Sequence, residues 1–122
     1  MLIQIVLGTQ VRQQTDIMVK SGMSRELIAD GFDWVFLVHR SFSFLIVFSI
    51  IFLWVRLWKT PRFKKPLMYL VVFIGLEILA GIILYYFNMQ AFAQPIHLLL
   101  SILIFAFFVE IFLRFLPRLS RK

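Results

Sequence analysis

The 122 residues are 61% hydrophobic and 17% aromatic but only 16% charged, where soluble domains average roughly 45–50% apolar and about 25% charged residues. Fifteen Phe are more than one small core can hide, because a domain this size buries only about two-thirds of its surface; the composition argues against a water-soluble globule and for a bilayer. The net charge of +7 does not indicate nucleic acid, since the basic residues stand in short clusters between long apolar runs. Zero Cys excludes disulfides, thiolate metal sites and thiol catalysis.

The chain opens with Met1-Leu-Ile-Gln-Ile-Val-Leu-Gly-Thr-Gln-Val11, apolar from its first residue. It lacks a basic n-region and an A-x-A-like site, so no cleavable signal peptide is expected. As a helix over about residues 1–13, its apolar part reaches only ~16 Å, half of what crossing hydrocarbon requires. That shortfall suggests a piece of a longer membrane protein. The stretch Arg12 to Asp33 is mixed in charge, and Ser24 with Glu26 suggests a short interfacial helix before Gly31.

Three further segments reach the roughly 20 apolar residues of a membrane span: 34–58, 67–87 and 95–116. Lys59-Thr-Pro-Arg-Phe-Lys-Lys-Pro66 joins the first two through a basic, proline-marked turn, and the connection 88–94 carries no charge. Of the thirteen Lys and Arg, Arg56, Lys59, Arg62, Lys64, Lys65, Arg114, Arg118, Arg121 and Lys122 fall on one side. The positive-inside rule makes that side, with the C-terminus, cytoplasmic.

A weak repeat runs through the chain. Val38-His39-Arg40-Ser41-Phe42-Ser43 and Ile96-His97-Leu98-Leu99-Leu100-Ser101 both place Ser four residues after His, while Gln4 and Glu77 each precede a glycine, Gly8 and Gly81, by four. The expected fold is an all-α transmembrane four-helix bundle made of two repeated helical hairpins, the first helix cut short, forming one domain over 1–122. In that arrangement His39 and His97 share one depth and face one another.

His39 and His97 are the only histidines. An imidazole in hydrocarbon is costly unless paired, and a planar macrocycle whose iron takes one imidazole on each face would satisfy both rings. The bland alternative is that each ring hydrogen-bonds helix backbone or the Ser one turn on, Ser43 or Ser101. Zinc normally wants three or four protein ligands, and two are on offer. Gly8 and Gly81 suit either close helix packing or the approach of a flat ring. Arg12 and Arg40 end near the outer face, where they would serve heme propionates or snorkel to lipid phosphate. Glu77, near mid-membrane, should be a hydrogen-bonded carboxyl, whereas Glu110 lies roughly 220° around the helix from His97 and pairs with Arg114 at i+4. No nucleophile–base pair or phosphate loop appears, so bond chemistry would need a cofactor.

Leu7-Gly8-Thr9-Gln10-Val11-Arg12, Val38-His39-Arg40 and Gln94-Pro95-Ile96-His97, in their order, spacing and membrane placement, together resemble the heme A synthase family over nearly the whole chain. That family consists of two pseudo-symmetric four-helix halves in the bacterial plasma membrane or mitochondrial inner membrane, and oxidises the C8 methyl of heme O to the formyl of heme A. The chain resembles the C-terminal half. The resemblance implies that His39 and His97 ligate the iron of a heme b that relays electrons, with heme O as substrate of the full-length protein. It implies as partners the missing N-terminal half, membrane lipid, and heme O synthase or a second copy of the chain.

The family's substrate half carries a catalytic Glu three residues before its first His; Phe36 stands there in this chain, so no residue is assigned a catalytic role. Two departures stand out: Arg12 is followed by Gln-Gln-Thr-Asp-Ile-Met in place of a Cys-containing segment, and Glu77 replaces an expected Gln. Two rival readings remain, a stand-alone membrane b-type cytochrome and a structural or assembly membrane protein without heme.

Overall fold

The computed structural model describes residues 1–88 and 90–116. The basic residues Arg118, Arg121 and Lys122, counted above for orientation, lie outside them. The described residues form helices α1 (Leu2–Lys20), α2 (Arg25–Ile28), α3 (Trp34–Leu57), α4 (Pro61–Tyr86) and α5 (Ala93–Phe115), with a 3-10 turn at Ala29–Gly31 after α2. No strand occurs among them. Three helices, α3, α4 and α5, are long and apolar enough to cross a membrane. At 1.5 Å per residue they measure about 36, 39 and 34 Å, against about 30 Å of hydrocarbon.

The helix ends follow from local chemistry. Asp33 caps α3, its Oδ1 accepting from Val35 N at 2.8 Å, while its Oδ2 accepts from Gln14 Nε2 at 2.7 Å and so ties α1 to the start of α3. Asn88, at φ 60°, closes α4 in the left-handed conformation.

Two boundaries differ from the sequence expectation. The first helix runs to Lys20, not to about residue 13. Its end is a Schellman motif: Gly22 has φ 86°, Gly22 N bonds Val19 O, and Met23 N bonds Met18 O, each at 3.1 Å. The helix therefore continues through the polar residues 13–16 until a glycine can reverse the chain. The helix expected from 67 starts instead at Pro61, which occupies its first turn, and runs through the buried Pro66.

A proline at 66 leaves the carbonyl of Arg62 without its helical donor. Arg114, from α5, supplies one: its guanidinium donates to Arg62 O at 2.6 Å and also holds Glu110. The i+4 pair read from the sequence is thus present, and it has a second partner across the helix interface.

α1 packs against α3 and α4 against α5, with α3 touching α4 and α1 touching α5. One apolar cluster gathers Ile46, Ile50, Phe63, Leu67, Leu70, Ile104 and Ile111. A smaller one gathers Ile28, Leu84 and Ala93 at the other end of α4. Between them, at the level of residues 74–82 of α4, the helices enclose a cavity. The outward faces stay apolar, with Phe44, Phe48, Phe52 and Val55 all more than half exposed along α3; such a surface suits lipid and not water.

Candidate functional site

The cavity has a volume of about 370 Å³, within the roughly 300–1,000 Å³ typical of ligand sites. Both histidines line it, together with Gly8, Gly81, Arg12 and Arg40. His39 enters from α3 and His97 from α5. Their ring centres lie 6.5 Å apart and the ring planes meet at 75°.

Each ring lies against a glycine of its paired helix. A Cβ added at Gly8 would stand 3.2 Å from His39 Cε1, and one added at Gly81 would stand 3.4 Å from His97 Cε1. What lies against each glycine is the imidazole of the neighbouring helix, which the absent Cβ lets approach.

The serine alternative takes a different form from the one expected. Ser43 Oγ donates to the backbone carbonyl of His39 at 3.1 Å, the ordinary back-bond of a helical serine. Ser101 Oγ donates to Glu77 Oε1. Neither serine bonds an imidazole nitrogen, and His39 Nδ1 is buried with no hydrogen-bond partner. His97 Nδ1 lies 3.2 Å from Glu77 Oε2, close but out of line for a hydrogen bond. A buried imidazole nitrogen left without a partner is costly, so these rings are poorly explained as satisfied core histidines.

The sequence did not assign Gln4 to the site. Its Nε2 donates to His39 O at 3.0 Å and to Ser43 Oγ at 2.8 Å, clamping the turn that carries His39. Its place four residues before Gly8 was the available signal. Arg12 and Arg40 both reach the rim of the cavity, and the Arg40 guanidinium lies 5.8 Å from the ring centre of Tyr85. Tyr85 in turn stacks on Phe36, and Phe36 on Phe32, at 5.7 and 4.7 Å between ring centres. Phe36 therefore presents an aromatic face to Tyr85 at the position three residues before His39. Among the described residues no group of three or more His, Cys, Asp or Glu side chains forms a metal cluster.

The 6.5 Å between the ring centres is close to the roughly 6 Å that one metal atom, bonded at about 2 Å to a nitrogen of each imidazole, would require.

A family model described as COX15-CtaA, cytochrome oxidase assembly protein, matches residues 1–109. Neither the curated proteins nor the solved structures contain a match.

Proposed function

As the chain belongs to the COX15-CtaA family of cytochrome oxidase assembly proteins, we propose that it serves heme A synthesis as the half of a heme A synthase that binds heme b between His39 and His97. The observation that carries the reading is the pair of imidazoles, 6.5 Å apart and each seated on a glycine of the neighbouring helix. We take the chain as a four-helix bundle of two related hairpins, α1 with α3 and α4 with α5. The matching contacts Gly8 to His39 and Gly81 to His97 support that relation.

Each part of the site then has a task. His39 and His97 offer one ring nitrogen each to the iron, and the missing Cβ at Gly8 and Gly81 lets the rings lie against the helices. Gln4 and Ser43 hold the His39 turn in place. Arg12 and Arg40 offer guanidinium donors at the rim, to heme propionates or to lipid phosphates in the same layer. Held between the two imidazoles, a heme would supply one-electron transfer between its ferric and ferrous states. Phe36, Tyr85 and the apolar helix faces keep water from the site. The side bearing residues 59–65 and Arg114 is cytoplasmic in this account, in a bacterial plasma membrane. Heme O oxidation belongs to the companion half, and heme O synthase or a second copy of the chain is a fitting neighbour.

The test is optical. The full chain, purified in detergent and titrated with hemin, should take up heme with a Soret band and a sharp α-band on reduction. His39→Ala and His97→Ala should each abolish that low-spin spectrum while Glu110→Gln retains it. A chain that takes up no heme favours the rival of a structural assembly protein, and a His variant that keeps two-histidine character overturns the ligand assignment.

A further inference from the structure

Glu77 is the half-buried acidic group that the heme reading leaves without a task. Its side chain is only 13% exposed, it sits on a helix face otherwise lined by apolar residues, and no Lys or Arg is within ion-pair distance of it among the described residues. Its two oxygens face different partners on α5. Oε1 accepts from Ser101 Oγ, and Oε2 lies 3.2 Å from Nδ1 of His97. Ser101 stands one helical turn after His97, so serine and histidine present themselves to the same carboxyl.

The other imidazole has no such neighbour. Gln4, the residue four before Gly8, spends its amide nitrogen on the His39 carbonyl and on Ser43 Oγ, and His39 Nδ1 remains without a partner. Neither Nδ1 has a hydrogen-bond partner, but the two rings, alike in their relation to a glycine, differ in that a carboxyl oxygen stands 3.2 Å from Nδ1 of His97 while none lies within ion-pair distance of His39 among the described residues.

That nitrogen matters. A ligating histidine that gives its second N–H to a carboxyl is fixed in tautomer and orientation and becomes a stronger donor. Stronger axial donation favours the oxidised metal, and hydrogen bonding around the ligands is one of the levers on heme potential.

We propose that Glu77 is a positioning residue for His97: Oε2, 3.2 Å from Nδ1, takes the Nδ1–H once the ring turns into line with it, Ser101 holds the carboxyl beside the ring, and Nε2 is left to face a metal. The heme then has one strongly and one weakly donating imidazole, and a lower midpoint potential than an amide at position 77 would give. The potential part rests on the heme reading; the contact between Glu77 and His97 does not.

Two measurements on the full chain in detergent separate the parts. In the heme-free protein, nitrogen NMR of 15N-histidine should show one imidazole as the Nδ1–H tautomer. Glu77→Leu, which removes the acceptor, should convert it to Nε2–H, and His39→Ala should leave it in place. An unchanged tautomer in Glu77→Leu overturns the contact. In the heme-loaded protein, redox titration of Glu77→Gln should give a higher midpoint, with the oxidised-to-reduced ratio shifted about tenfold, or about 59 mV for one electron, and the low-spin spectrum kept. Ser101→Ala should shift it in the same direction by less, and stands in if Glu77→Gln does not fold. A midpoint equal to or below wild type in the variant overturns the potential claim. A wild-type chain that takes up no heme overturns that claim together with the heme reading, while the tautomer result still judges the contact.

Discussion

At the scale of single residues, the glycines are the most sensitive part of the site. A Cβ at Gly8 would stand 3.2 Å from the His39 ring, tighter than ordinary contact, and valine would add two more carbons. Overpacking of this kind costs about 1–3 kcal/mol, so Gly8→Val should weaken heme binding by about fivefold or more in a hemin titration. Gly81→Ala meets His97 at 3.4 Å and should stay within about threefold of wild type, since that distance asks for only a small adjustment. The paired histidines and the glycine faces were legible in the sequence because the i+4 spacing is a local property of a helix. The partners of Ser43 and Ser101 were not. A helical serine can turn back to its own i−4 carbonyl or reach across to the next helix, and Ser43 does the first while Ser101 does the second. Only the packing of α4 on α5 decides between them.

At the scale of the elements, the middle of each apolar helix could be read from composition, while the ends depended on small signals. Gly22 marks the end of α1 through its positive φ, and that stop signal was present in the sequence. The start of α4 was harder, because Pro66 reads as a breaker and the group that compensates for it, Arg114, lies on another helix. This arrangement predicts a specific non-additivity. Arg114→Met should cost about 0.5–1.5 kcal/mol in a denaturation series in detergent, the net worth of one hydrogen bond at an exposed carbonyl. In a Pro66→Ala background, where residue 66 regains an N–H for the Arg62 carbonyl, the same change should cost less. Equal costs in the two backgrounds would show that Arg114 does not substitute for the missing donor. Asp33→Ala, by removing the cap of α3 and the acceptor for Gln14, should lower stability by about 1 kcal/mol in the same assay.

At the scale of the whole molecule, the two apolar clusters hold the helices above and below the cavity, while the outward faces remain apolar for lipid. With no native Cys, orientation can be read by single-cysteine labelling. Lys59→Cys should react with an impermeant reagent only from the cytoplasmic side, and Gln13→Cys only from the opposite side; the reverse pattern would invert the topology. The most direct measurement of the central claim is electron paramagnetic resonance of the ferric, heme-loaded chain, with heme and protein quantified together. One low-spin heme per chain is expected, converted to another spin state or lost by His39→Ala and equally by His97→Ala. A low-spin signal that survives either substitution, or heme bound only in a high-spin form, would contradict that claim.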